Sequence, residues 1–261
     1  MRRRAGLFTV LFLVMFIASC SGMSKDPTKD WPPEKLYKEA KEIVADGEYE
    51  TGIKYFESLE SRYPYGRYSE QAQLEIAYAY YKYDDPALAI AAADRFIRLH
   101  PTHPNVDYAY YLKGLVNFLG EKGLASWLLG AKDDLSDRDP KGARDSYMAF
   151  REVVERFPNS RYAEDSKLRM AYLFDAQARY ETLVARFYYD RKSYVAAVNR
   201  SQHALATYPR TPATEDALGL MALSYQAMGI DDLKQDTVRL LTRNFPNSRY
   251  LAELDKLTVK H

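Results

Sequence analysis

Cys20 is the single cysteine of this 261-residue chain, and its surroundings indicate a specific chemistry for the thiol. One thiol cannot form an intrachain disulfide, a zinc ribbon or an iron–sulfur cluster, because each of these needs at least two. Before Cys20 come Arg2 to Arg4, an apolar run from Leu7 to Ile17, and the small residues Ala18 and Ser19. This order is typical of an export signal, and the run is too short to span a bilayer. The sequence therefore predicts that Cys20 lies at the cleavage boundary.

The four residues from Ile17 to Cys20 resemble the lipobox of bacterial lipoproteins, in which the thiol is diacylated before the signal is removed. Residues 1–19 are then the signal peptide, and Cys20 carries a diacylglycerol and an N-acyl chain as the protein's only non-peptide group. Such chains hold a protein to a bilayer, since each buried methylene contributes about 0.8 kcal/mol. Ser21, where an Asp would retain the protein at the inner membrane, resembles the sorting pattern for the outer membrane. We expect an anchor in outer-membrane lipid on the periplasmic face.

An ordinary secretory signal that happens to contain a cysteine is the alternative to this interpretation. The polar, proline-bearing stretch after Cys20 fits either case, and we interpret residues 20–33 as an extended tether between lipid and folded body. Trp31 within it would contact either the membrane surface or the first helix.

The remaining clusters of reactive side chains do not predict a metal site or a catalytic site. His100 and His103 are separated by a proline and followed by another, which indicates a turn with no further ligand nearby. Four aspartates between residues 133 and 139 lack the glycine and glutamate of a calcium-binding loop. No phosphate-binding loop, nucleophile elbow or zinc-protease motif occurs. With 37 basic and 36 acidic residues, nothing favours nucleic-acid binding. We expect a protein without enzymatic activity.

An aromatic or histidine residue followed by proline recurs five times along the chain, at intervals of 37, 57, 51 and 37 residues. The first and last intervals are close to the length of a tetratricopeptide-type helical hairpin, which is about 34 residues. Proline ends a helix because it lacks an N–H group and disfavours helix in the preceding residue. We therefore predict an all-α solenoid of about five hairpins, whose second helices end at Tyr63-Pro64, His100-Pro101, Phe157-Pro158, Tyr208-Pro209 and Phe245-Pro246.

Residues at fixed distances before each proline support this repeat. An apolar residue stands five positions before every proline, and an alanine stands 24 positions before four of them, with a bulky residue three positions later. Small and large residues at fixed offsets indicate two closely packed helices. Gln235 breaks the pattern, so the final hairpin is either looser or capped by the terminal segment. The alanines are Ala40, Ala77, Ala185 and Ala222.

The two long intervals have different explanations. Ala171 and Phe174 recur 14 residues later as Ala185 and Tyr188, and 14 residues are close to four helical turns, so residues 161–189 are predicted to form one long helix. Glycines and Pro140 punctuate the 57-residue interval, which indicates a loop followed by a helix that begins at Pro140. We divide the repeats into an amino-terminal half, 34–135, and a carboxy-terminal half, 136–261.

Several stretches resemble the BamD family, also called ComL or YfiO lipoproteins, which serves the outer-membrane β-barrel assembly (BAM) machinery. The resemblance runs over essentially the whole chain, and its most specific part is residues 94–105, DRFIRLHPTHPN. It is also carried by RYPYG at 62–66, IAYAYYK at 76–82 and SDRDP at 136–140. The resemblance implies a five-repeat lipoprotein that binds the POTRA region of BamA, other BAM lipoproteins and unfolded outer-membrane β-barrel substrates.

Candidate contact residues follow from the resemblance. In the BamD family the amino-terminal repeats are implicated in holding the carboxy-terminal strand of substrates. The matching positions here are Tyr63, Tyr65, Tyr81, Arg95 and Arg98. Aromatic rings and arginine forks suit a peptide that ends in an aromatic residue and a carboxylate. The carboxy-terminal repeats of the family bind BamA, and the matching candidates are Tyr188, Tyr189, Arg191 and Arg200. Packing for Tyr63 and Tyr81 and simple solvation for Arg95 and Arg98 are equally good explanations of each residue alone. Arg200 stands where other repeats have an apolar residue, so its stem either snorkels to solvent or contacts a partner, and we favour the contact.

Two other functions are compatible with an exported helical solenoid. An enzyme acting on peptidoglycan would need a catalytic domain, and the repeats occupy nearly all of the mature chain. A structural, peptidoglycan-associated lipoprotein is the second alternative.

Overall fold

The computed structural model describes residues 28–118 and 140–258, and in these two stretches the chain is built from α-helices without a β-strand. None of the described helices is both long and apolar enough to cross a membrane. The helices are α1 (Pro33–Ala45), α2 (Tyr49–Arg62), α3 (Arg67–Lys82), α4 (Pro86–Leu99), α5 (Val106–Val116), α6 (Pro140–Arg156), α7 (Ala163–Asp190), α8 (Tyr194–Thr207), α9 (Ala213–Met228), α10 (Asp231–Asn244) and α11 (Arg249–Thr258).

Each helix packs against the next along the chain, which gives five hairpins, from α1–α2 to α9–α10, followed by α11. The first helices of successive hairpins also touch: α1 contacts α3, α3 contacts α5, α7 contacts α9, and α9 contacts α11. Such stacking buries each hairpin mainly against its neighbours. The predicted all-α solenoid of tetratricopeptide type is confirmed.

Every second helix ends where the sequence predicts it. The last helical residue precedes the aromatic or histidine of each pair, at Arg62, Leu99, Arg156, Thr207 and Asn244. The apolar residue five positions before each proline is buried in all five repeats, and the four repeat alanines are fully buried between helices. The repeat pattern therefore indicates both where the second helices end and which residues are buried between helices.

The predicted long helix is α7, which has 28 residues and a length of about 42 Å. It serves as the first helix of the fourth hairpin and contacts both α6 before it and α8 after it. Helix α6, which precedes α7 in the chain, starts at Pro140 as predicted. The predicted loop before it, and the boundary between residues 135 and 136, lie outside the described residues.

The folded body begins at Thr28, within the stretch 20–33 that the sequence predicts as a tether. Helix α1 starts at Pro33, and residues 28–30 form a turn in which Thr28 is almost fully buried. The Arg62 guanidinium donates hydrogen bonds to the Thr28 carbonyl at 2.6 Å and to its hydroxyl at 3.1 Å. The Trp31 ring lies edge-on to Tyr55 of α2, so it packs against protein. The Arg62 hydrogen bonds and the packing of Trp31 thus make a linker-like sequence part of the fold.

The carboxy-terminal end is capped by α11, one of the two outcomes predicted from the irregular last repeat. Gln235 is exposed, as expected for the position that breaks the pattern. Tyr250 and Leu254 of α11 are buried in one apolar cluster with Leu220 and Leu223 of α9. The last hairpin therefore gains its buried face from the terminal helix.

Candidate functional site

A groove of about 710 Å³ runs along the first helices of the amino-terminal repeats. It is the concave surface that stacked hairpins create, and it crosses three repeats before ending at the turn into α7. Four of its twelve lining residues are tyrosines. The lining consists of Lys41, Val44, Ala45, Tyr49, Leu74, Glu75, Tyr78, Lys82, Asn105, Tyr108, Arg161 and Tyr162.

The tyrosines at the far end of the groove form a continuous aromatic surface. The ring of Tyr162 lies 5.3 Å from that of Tyr108 and stacks on Tyr111 at 4.7 Å between centroids. Burial raises the pKa of Tyr108 and Tyr111, and the hydrogen bond that Tyr111 donates to Asp165 at 2.7 Å raises the latter further. These hydroxyls therefore stay protonated at neutral pH. Rigid rings with a polar hydroxyl can pack against apolar side chains and bond to a peptide backbone.

The charges in the groove are divided between a neutralised acid and two free cations. Glu75 accepts a hydrogen bond from Tyr37 at 3.0 Å and pairs with Lys41 at 2.8 Å. Burial, and then this carboxylate, raise the pKa of Tyr37. Lys82 and Arg161 form no ion pair with any residue that the structure describes. The Arg161 guanidinium instead lies over the ring of Tyr162 at 4.9 Å. The groove thus offers aromatic faces together with unneutralised positive charge.

This arrangement suits binding of an extended polypeptide with aromatic side chains and a carboxylate. Cations over or beside aromatic rings attract anions without a buried, costly ion pair. Within the two described stretches, no three His, Cys, Asp or Glu side chains are grouped to hold a metal ion.

The candidate substrate residues lie outside this groove. The Tyr63 hydroxyl donates a hydrogen bond to the Trp31 carbonyl at 2.9 Å, and Tyr65 beside it is 92% exposed. Arg95 pairs with Glu60 at 3.0 Å, which brings the last turns of α2 and α4 side by side. Arg98 is exposed at the end of α4 and has no ion pair among the described residues. These four residues share one edge of the solenoid.

Tyr81 is separate from that group. It lies in the last turn of α3, at the opposite end of its hairpin from Arg98, and α4 between them is about 20 Å long. Its side chain packs against the cluster that contains Ala77 and Ala93. The structure thus gives Tyr81 a packing contact, and its role in substrate binding stays a prediction.

Two of the four candidate partner residues share a second, shallower groove of about 340 Å³. Tyr188 and Arg200 line it together with Asn199 and His203. The Arg200 guanidinium pairs with the nearly buried carboxylate of Glu181 at 2.9 Å, and this bond raises the pKa of Arg200. Arg200 therefore already has an internal partner, while almost half of its side chain remains open to the groove. Contact with another protein stays a prediction.

Tyr189 and Arg191 point away from that groove. Tyr189 lies against Tyr194, with ring centroids 5.7 Å apart, and packs on the carboxy-terminal apolar cluster. The Arg191 guanidinium lies 3.6 Å from the centroid of Phe187, which is half-exposed. The four candidates therefore do not form one site.

The groove tyrosines are not among the site residues predicted from the sequence, although it carries a signal for them. The dipeptide Arg-Tyr occurs at or directly before the start of α3, α7 and α11, and each arginine lies over the following ring at 4.6–4.9 Å. In all three pairs the guanidinium also donates a hydrogen bond to the hydroxyl. The pairs are Arg67-Tyr68, Arg161-Tyr162 and Arg249-Tyr250, and the middle pair lines the groove.

Comparison with known proteins decides the family. The family described as YfiO, Outer membrane lipoprotein, matches residues 29–241. This chain belongs to that family. The resemblance to BamD that the sequence motifs predict is thereby confirmed.

Several proteins that match this chain over most of their length carry the name outer membrane protein assembly factor BamD. The protein of Neisseria meningitidis serogroup A is 48% identical over 225 residues, which is 86% of this chain and 84% of that protein. The Vibrio cholerae protein is 39% identical, covering 90% and 96%. Among solved structures, MamA covers 85% of this chain at 14% identity, with a TM-score of 0.32, too distant to add to the family assignment.

Proposed function

We propose that this chain is a scaffold and substrate-binding subunit of the outer-membrane β-barrel assembly complex. As a member of the BamD family, it takes part in outer-membrane protein assembly. Its finer role is to hold unfolded β-barrel proteins while other subunits insert them. It does so by binding, without an enzymatic step and without a cofactor other than its own acyl chains. This reading is favoured over a structural, peptidoglycan-associated role.

The tyrosine-lined groove supports the substrate-binding role. An aromatic side chain of an extended substrate segment fits against Tyr78 and Tyr108, and a carboxylate fits near Lys82 or Arg161. Because Glu75 is already neutralised by Lys41 and Tyr37, it would not repel an acidic ligand. The unpaired cations beside stacked tyrosines are the observation on which this proposal depends.

The Tyr188–Arg200 groove is the proposed contact with the POTRA region of BamA. It is open, has an exposed cation, and lies at the opposite end of α7 from Arg161 and Tyr162 of the substrate groove, about 40 Å along the helix. The two partners can therefore be bound at the same time. Other BAM lipoproteins are further expected partners, for which we assign no surface.

The acyl anchor on Cys20 completes the proposal. Cys20 lies outside the described residues, but the chain after it is fixed to the folded body from Thr28 onward. The protein would then be attached by lipid to the periplasmic face of the outer membrane. Cys20→Ala should shift the protein from the membrane fraction to the soluble periplasm, and unchanged fractionation would contradict the anchor.

Photocrosslinking tests the substrate groove directly. A benzophenone amino acid replaces Tyr78 in the full lipidated chain, and the purified protein is mixed with an urea-unfolded β-barrel protein. A matched variant carries the same group at Tyr83, which is half-exposed five residues away on the α3–α4 turn. We expect strong crosslinks from residue 78, weakened by Arg161→Glu, and few from residue 83. Equal yields from both positions would exclude the groove as the binding site.

A further inference from the structure

We propose that the edge of the solenoid where α2 and α4 end lies against the lipid headgroups of the membrane. This membrane edge consists of Lys29, Tyr65, Arg67, Arg98 and Leu99. The inference rests on the acyl anchor at Cys20, and it adds an orientation that the anchor alone does not give. Its partner is an anionic phospholipid surface.

The chain between the acylated residue and the fold is short. Arg62 holds Thr28 by two hydrogen bonds at the end of α2. Thr28 is eight positions after Cys20, and eight residues span at most about 28 Å when fully extended. Thr28 therefore stays within that distance of the lipid.

Thr28 lies at one edge of the solenoid, beside the end of α2. Helix α2 has 14 residues and is about 21 Å long, so the turn at its other end is nearly as far from Thr28 as the tether can reach. Directing the opposite edge to the membrane would require an almost fully stretched tether that passes along the whole hairpin. A stretched chain has little conformational freedom, so the edge beside Thr28 is strongly favoured.

The composition of the edge also favours a membrane contact. Tyr65 is 92% exposed, more than any other large hydrophobic side chain that the structure describes, and Leu99 is 52% exposed. Lys29, Arg67 and Arg98 are exposed around them and have no ion pair among the described residues. Tyrosine at headgroup level with surrounding basic residues is the typical composition of a membrane-interface contact.

The acidic residues near this edge do not cancel its charge. Asp30 is exposed beside Lys29 and Glu70 lies 3.8 Å from the His103 ring, whereas Glu60 is paired with Arg95 at 3.0 Å. The three basic residues without an ion pair in the described stretches therefore outnumber these two remaining carboxylates. The opposite edge, formed by the α1–α2 and α3–α4 turns, exposes the three carboxylates of Asp46, Glu48 and Asp84 against one cation, Lys82, that has no ion pair within the described residues. An anionic bilayer would therefore attract one edge and repel the other.

A fluorescent label tests this orientation in the intact, lipidated protein. Acylation consumes the Cys20 thiol, the only one in the chain, so Tyr65→Cys supplies a single thiol for a nitrobenzoxadiazole label. Tyr83→Cys, half-exposed on the opposite edge, is the matched control. Both proteins are incorporated into vesicles of phosphatidylethanolamine and phosphatidylglycerol that contain a lipid with a headgroup-proximal spin label. We expect several-fold stronger quenching at residue 65 than at residue 83.

Charge reversal and flotation separate the orientation from the anchor. Arg67→Glu combined with Arg98→Glu should reduce quenching at residue 65 towards that at residue 83, while the protein still floats with the vesicles. Equal quenching at the two residues in floating vesicles would overturn the membrane edge and leave the anchor intact. Failure to float, with an unmodified Cys20 in the mass spectrum, would overturn the anchor and the edge together. Crosslinks from residue 65 to substrate, without quenching by the labelled lipid, would show that Tyr65 binds substrate and would overturn the proposal that this edge contacts the membrane.

Discussion

The ring of Tyr250 in α11 lies against Gly219 in α9, in the space that a Cβ atom on residue 219 would occupy. The Tyr250 hydroxyl donates a hydrogen bond to Asp216 at 2.6 Å and accepts one from Arg186 at 3.0 Å. The Tyr250 ring thus holds the terminal helix against the α9 backbone, and the hydrogen bonds of its hydroxyl fix the other end of the side chain. This contact defines the cap of the solenoid.

Gly219→Ala should therefore displace α11 and lower the free energy of unfolding by about 1–3 kcal/mol, the usual effect of overpacking. Urea unfolding followed by circular dichroism measures the loss. In a Tyr250→Ala background the added methyl group meets no ring, so the same substitution should cost little. A full cost in both backgrounds would show that the overlap with Tyr250 is not the cause.

Arg200→Glu should destabilise the protein, because it puts a second carboxylate beside the nearly buried Glu181. We expect a loss of about 1 kcal/mol, limited because Arg200 is almost half-exposed. Arg200→Gln removes the charge yet can still donate to Glu181, and it should leave the unfolding midpoint nearly unchanged. It is therefore the suitable variant for co-purification with BamA, where we expect reduced recovery. Normal recovery with Arg200→Gln would remove Arg200 from the interface.

Arg62→Ala should release the chain around Thr28 from the end of α2. Two hydrogen bonds are lost and the Thr28 carbonyl loses a charged donor, so we expect about 1–3 kcal/mol less stability for this local contact. Hydrogen exchange of residues 29–36, measured by mass spectrometry, should become faster. Arg98→Ala, an exposed arginine without an ion pair in the described parts of the chain, is the control and should leave exchange there unchanged.

Alkaline pH should destabilise the amino-terminal repeats through Tyr37 and Tyr108. Burial raises the pKa of both hydroxyls above the usual value near 10. Above pH 10 the unfolded chain loses these protons while the folded chain retains them, so the free energy of unfolding falls as pH rises. Each group contributes at most about 1.4 kcal/mol per pH unit.

Urea titrations between pH 8 and pH 11 measure this slope. Tyr108→Phe should make it shallower, whereas Tyr65→Phe, at an exposed position, should not. An unchanged slope in Tyr108→Phe would contradict the assignment of the alkaline transition to that buried hydroxyl.

The fold could be predicted from the sequence because its signals are local. A proline at the end of each second helix and a buried alanine such as Ala77 or Ala185 act within one hairpin. The length of α7 was predictable for the same reason, since a 14-residue shift keeps one helical face buried.

The sites were less predictable because they join residues that are distant in sequence. Tyr108 and Tyr162 are 54 residues apart and meet only when the third and fourth hairpins stack. Glu181 and Arg200 lie on two different helices, so the internal partner of that arginine is invisible in either helix alone. The capture of Thr28 by Arg62 joins residues 34 apart, in a segment whose polar composition resembles a linker.

Helix α7 runs without a break from the substrate groove to the groove proposed for BamA. Arg161 and Tyr162 stand at its start, and Tyr188 stands in its last turn about 40 Å away. A continuous α-helix resists bending and twisting, so a tilt imposed at one end is carried to the other. In the proposed function, a tilt of α7 caused by substrate bound beside Arg161 and Tyr162 would therefore reach a protein bound beside Tyr188.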